Sequence, residues 1–195
     1  MSDDLHETAS QTAGPYVHIG CMPNACGITG VFAEDLGAQM LQAETPGQRI
    51  AIEGVIFDGD GAPLTDAVVE IWQADEQGRY TTRSAAFSGW GRAAADAETG
   101  RWRFETIKPG AVPCPDGTVM VPHITVWIIA RGINIGLHTR MYFPEDYDMQ
   151  AHDPVLARVQ PTGRLHTLIA EPGPDATYNF NIYLQGPKET VFFDV

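Results

Sequence analysis

His123 heads an apolar run, HITVWIIA, and its imidazole is the side chain in this sequence best suited to hold a metal. Residues two apart on a strand point the same way, so a second ligand on that face belongs at position 125. Thr125 stands there instead, and a neutral hydroxyl is a poor substitute for an imidazole. His123 is then either the remnant of a metal centre or a hydrogen-bonded core histidine, and the second is the simpler reading. The same run ends at Arg131, whose guanidinium cannot shed its charge to ease burial. Either Arg131 reaches the surface or a carboxylate of its own chain, or it offers a fixed cation to an anionic ligand. Thr12, Gly14, Pro15 and Tyr16 lie together in SQTAGPYVHIG. Glycine allows close backbone approach, proline fixes a bend, and tyrosine adds an aromatic wall with a polar tip. Taken alone, the stretch is also an ordinary turn tethering an N-terminal arm. Arg140 and His138 alternate faces with their neighbours in LHTRMYF.

The elements that would position these residues are mostly strands. From Arg49 onward RIAIEGVIF alternates, DGDG signals a turn, and AVVEIWQA is β-branched and apolar. RWRFETI alternates again and stops at KPG, and HITVWIIA and LHTRMYF follow, joined through the glycines of RGINIG. YNFNIYLQG and TVFF complete the set. One stretch reads as helix: HDPVLARV, with Asp153 as N-cap and Pro154 at the first helical position. TGRLHTLIA adds a further turn or two. Many short strands with almost no helix predict an all-β protein, a β-sandwich. Residues 1–48 lack periodicity and read as an arm with loops that lies across another surface, leaving 49–195 as the sandwich domain.

Composition narrows the function. A chain of 195 residues, 44% hydrophobic and 19% charged, is long enough for one domain with a sizeable core. The net charge of −13 disfavours nucleic acid and anionic membrane surfaces, and it makes any positive pocket a local feature. No apolar run reaches the ~18–20 residues that span a bilayer. The acidic start MSDDLHETAS is the reverse of a secretory signal, so a cytoplasmic location is expected. Cys21, Cys26 and Cys114 form an odd set with no second pair to match CMPNAC, which favours free thiols over a zinc site. Trp72, Trp90, Trp102 and Trp127 are expected in the core or at an interface.

The run IEGVIFDGDGAPLTDAVVEIWQADEQGRY, from Ile52 to Tyr80, resembles the signature of the intradiol ring-cleavage dioxygenases, and FSGWGR, RWRFETIKPG and PHI follow in that family's order. ETASQTAGPYVHIG, PHITVWIIARGINIGLHTRMYF and GPKETVFFDV are similar to the α chain of a two-chain enzyme of the family. The resemblance implies a mixed β-sandwich of the intradiol type. It also implies a ferric, non-haem iron held by two tyrosinates and two histidines, on which a catechol is opened by O2. Carried onto this chain, that ligand set fails. His123 matches one histidine, but Thr125 replaces the other, and Ala111-Val112 follows IKPG where the family has Pro-Tyr. The interval TTRSAA is too short for the loop that carries the second tyrosine, and Tyr80 reads as a packing residue.

What the resemblance implies for this chain is support of a partner. The Fe(III) then belongs to a β chain, the active site lies at the α/β boundary, and several αβ units assemble. Thr12, Gly14, Pro15 and Tyr16 match the arm that reaches over the partner's pocket, and Arg131 matches an arginine directed at the carboxylate and dianionic catecholate of the substrate. His123, Thr125 and Arg140 mark the vestigial site, Arg140 standing where the β chain has a pocket-lining glutamine. Two other readings compete: a self-sufficient dioxygenase with unusual ligands, and a transthyretin-like binding or scaffold module with no part in catalysis.

Overall fold

The computed structural model describes residues 11–80, 86–134 and 136–194. The first ten residues of the arm and most of the TTRSAA interval lie outside the described residues, as do Ile135 of RGINIG and Val195. The strands, in chain order, are β1 (Arg49–Phe57), β2 (Val68–Gln73), β3 (Trp90–Ala94), β4 (Arg101–Ile107), β5 (Val112–Pro113) and β6 (Val119–Met120). They continue as β7 (His123–Ile129), β8 (Leu137–Tyr142), β9 (Glu171–Pro172), β10 (Thr177–Asn179) and β11 (Ile182–Tyr183).

Two open sheets form a mixed β-sandwich. In one, β1 pairs with antiparallel β4 on one edge and with parallel β10 and β11 on the other. The second is an antiparallel sheet in the order β3-β2-β7-β8. Strand periodicity explains the layers. Along β4, Trp102 and Phe104 point inward while Arg101, Arg103 and Glu105 face water. Along β7, Ile124, Val126 and Ile128 enter the core, which leaves His123, Thr125 and Trp127 together on the opposite face. Between the sheets these isoleucines meet Ile52, Ile56, Trp102 and Phe104. Met40, from the segment read as an arm, also packs into this core.

The helical expectations need correction. Pro15–Cys21, expected as a bend, is a helix (α1) with Gly14 as its N-cap and Pro15 in the first helical turn. It buries none of its residues, so its sequence carries no apolar stripe to betray it. HDPVLARV forms only a 3₁₀ turn, Leu156–Arg158, and TGRLHTLIA another, Thr162–Leu168. A short helix, α2 (Tyr147–Gln150), precedes them. The N-cap of the Leu156–Arg158 turn is Val155 rather than Asp153, although Asp153 holds the start of the turn with its carboxylate. It is fully buried, one carboxylate oxygen accepting from the N–H of Val155 and Leu156 and the other from the N–H of Val121. That last bond ties the turn to the entrance of β7, two residues before His123.

Candidate functional site

Two clusters of the residues singled out above lie at opposite ends of β7. The first surrounds His123, which is only 1% exposed. Its Nδ1 lies 2.7 Å from the carbonyl oxygen of Val121, which can only accept, so Nδ1 carries the proton. The outward nitrogen, Nε2, is then the bare acceptor, and it receives the hydroxyl of Tyr80 at 3.2 Å. Tyr80, expected to be a packing residue, thus caps the one imidazole nitrogen free to bind a metal. The turn from Asp75 to Arg79 delivers it. Asp75 accepts from the N–H of Gln77 and Arg79, and Gly78, at φ +77, lies so close to Ala111 that a Cβ would stand 1.8 Å from that carbonyl oxygen. The ring of Tyr80 stacks on Trp72, 6.3 Å between centroids.

Charge completes the picture. In the antiparallel register Thr125 lies opposite Arg140 and His123 opposite Tyr142. The Arg140 guanidinium rests against Met120, 3.4 Å from its sulfur. Burial, aided by the Arg140 charge, pushes the His123 pKa down to about 4, so the ring is neutral near pH 7. Burial pushes the Tyr80 phenol up, with Arg140 opposing, so it too keeps its proton. A single imidazole whose lone pair is already engaged, a threonine and a neighbouring cation do not fit a ferric ion, which needs several anionic or imidazole donors. Among the described residues no group of three or more His, Cys, Asp or Glu side chains converges. The three cysteines are free thiols.

The second cluster lies past the far end of β7, two residues beyond Ile129. Ala130 to Ile133 make a tight turn, closed by the N–H of Ile133 donating to the carbonyl of Ala130 at 3.2 Å, with Gly132 at φ +86. Arg131 is the first central residue of that turn. The N–H of Gly132 donates to the Thr12 hydroxyl at 2.6 Å, so the arm is fastened to the turn that carries Arg131. Gly14 and Pro15 line a depression of about 240 Å³ with Ala13, His18, Asp66 and Arg131. Arg131 is exposed, and its Nε lies 3.4 Å from a carboxylate oxygen of Asp66. Tyr16 does not line the depression and is 83% exposed.

Geometry thus brings Gly14, Pro15 and Arg131 together with Thr12 as fastener, and leaves Tyr16 facing outward. His123, Thr125 and Arg140 form the separate cluster. Sequence reasoning missed the Tyr80 contact with His123, which spans 43 positions. It missed Asp66 and His18 as well, since no pattern links them to Arg131.

A family model described as dioxygenase matches residues 28–186. The sequence is 41% identical to the alpha chain of protocatechuate 3,4-dioxygenase from Pseudomonas putida, with 97% of each chain covered. It is 34% identical to the beta chain of that enzyme from Burkholderia cepacia, over 81% of this chain and 77% of that one. Catechol 1,2-dioxygenase from Acinetobacter sp. ADP1 shares the fold, with a TM-score of 0.56 over 86% of this chain and 71% of that one, at 22% identity. Sequence match, sandwich topology and a degenerate ligand position agree: this chain belongs to the intradiol ring-cleavage dioxygenase family.

Proposed function

We propose that this chain is the non-catalytic α subunit of a protocatechuate 3,4-dioxygenase. The assembled enzyme would open protocatechuate with O2 between its two hydroxyl-bearing carbons, yielding 3-carboxy-cis,cis-muconate. Fe(III) and the chemistry at it belong to the partner β chain. This chain supplies a wall of the shared pocket and the contacts that build the higher oligomer of αβ units, which we place in the cytoplasm. No helix among the described residues is long and apolar enough to cross a membrane.

The observation that carries this reading is the unequal fate of the two clusters. At His123 the ligand position is closed by Tyr80 and crowded by Arg140, whereas Thr12 holds the arm against the Arg131 turn and leaves the guanidinium exposed. Arg131 then favours the carboxylate or the catecholate of the substrate, Gly14 and Pro15 shape the pocket edge, and Tyr16 projects outward toward the partner. Thr12 acts by holding that group together. In a chain of net charge −13 this local cation draws in an anion that the rest of the surface repels.

Co-expression with the β chain, followed by iron counting, tests the proposal. One iron per αβ pair is expected, all of it lost when the β chain is omitted. A stoichiometric, catecholate-binding iron in the isolated α chain would sink it. Purification as a stable species that never takes up an iron-bearing partner would favour a transthyretin-like scaffold module instead.

A further inference from the structure

We infer that Asp66 is a positioning residue for Arg131, and through it a determinant of affinity for the anionic substrate. This inference rests on the shared-pocket reading above. Two restraints act on Arg131 from different directions. Its backbone is fixed because the Thr12 hydroxyl takes the N–H of Gly132, the next residue in the turn. Its side chain is drawn toward Asp66, whose nearest carboxylate oxygen lies 3.4 Å from Nε. Asp66 sits just before β2, and β2 pairs directly with β7, so the carboxylate is carried by the same sheet as the arginine.

The donor count matters. A guanidinium has five N–H donors in a planar fork, more than one carboxylate can take, so Arg131 can meet a second anion while Asp66 stands beside it. Arginine otherwise has a long side chain with many rotamers, and a ligand that recruits it must freeze them. Asp66 does part of that ordering before the substrate arrives. Its own negative charge works the other way, by offsetting the cation. Solvent screens that effect, since the Arg131 side chain is 80% exposed and that of Asp66 34%. Orientation is thus expected to outweigh charge. His18 is the other titratable group lining the same depression.

The test uses the assembled αβ enzyme with protocatechuate. Asp66→Ala should raise KM about fivefold while kcat stays within about twofold, because the change falls on substrate capture rather than on the reacting centre. Asp66→Asn, which keeps an acceptor oxygen and drops the charge, should return KM to within about twofold of the parent. In an Arg131→Ala background Asp66→Ala should do nothing further, since the group it orients is gone. Melting temperature and subunit association, measured alongside, should not move with these effects. A KM that is unchanged or lower in Asp66→Ala, or a rise that persists without Arg131, overturns the inference. If Arg131→Ala itself leaves KM untouched, the shared-pocket reading fails first, so the two failures are distinguishable.

Discussion

Arg131→Ala removes a guanidinium that no other described residue around that depression replaces, His18 being its other basic side chain. Hydrogen bonds to charged groups are worth ~1.5–3 kcal/mol, so kcat/KM for protocatechuate in the assembled enzyme should fall about tenfold or more, mostly through KM. At the other end of β7, Tyr80→Phe leaves the Nε2 of a buried histidine without its donor. Stability should drop by about 1–3 kcal/mol, read from chemical denaturation, with iron content unchanged. The pH dependence of His123 has a definite sign. Its folded pKa of about 4 lies below the unfolded 6.5, so the unfolded state binds the proton first. Stability is in full force above pH 6.5, is lost as pH falls from there to about 4, and levels off below. The whole effect is on the order of 3 kcal/mol. His123→Gln should flatten that slope in a series of denaturation curves, whatever it does to stability at neutral pH.

Asp153 is where elements meet, since one buried carboxylate accepts N–H groups at the start of the Leu156–Arg158 turn and at the entrance of β7. Asp153→Ala strands three backbone N–H groups at once and should cost about 3 kcal/mol or more, seen as a lower melting temperature, with kcat little changed. That Asp153 stands at the start of a turn was legible in the sequence because Asp-Pro is a local signal, but the N-cap itself is Val155. The length of the helix was not legible, because only Leu156 of that turn is buried and no apolar face extends it. Strand β4 was readable to the residue, as one of its faces is solvated and the other is core. Strand β3 escaped notice, for WGRAA is short and rich in glycine and alanine. Helix α1 escaped for the opposite reason: nothing in it is buried. In the candidate site, the missing partner of His123 could be read from strand spacing, and Arg131 as the end of an apolar strand, whereas its place beside the arm rested on the resemblance. Asp66 and Tyr80 could not, since only the pairing of β2 with β7 and the Asp75–Arg79 turn bring them into place.

At the scale of the whole molecule, the sandwich serves as a frame whose two ends have diverged in use. One end keeps an arm and an exposed cation, and the other has turned inward. Purified alone and given ferric ion, the chain should develop no tyrosinate-to-iron charge-transfer colour, since Tyr80 is protonated and already committed to His123. Colour in that titration would mean that the donors rearrange around iron. The cap on His123 also bears on how such a chain can change over generations. Swapping Thr125 back to histidine would supply a second imidazole, yet a phenol would still cover the first and Arg140 would still repel the incoming ion. Restoring a ligand set there takes changes at Thr125, Tyr80 and Arg140 together. On the proposed reading, the division of labour between the two subunits therefore works as a ratchet, and each copy of this chain would depend on its companion for every turnover.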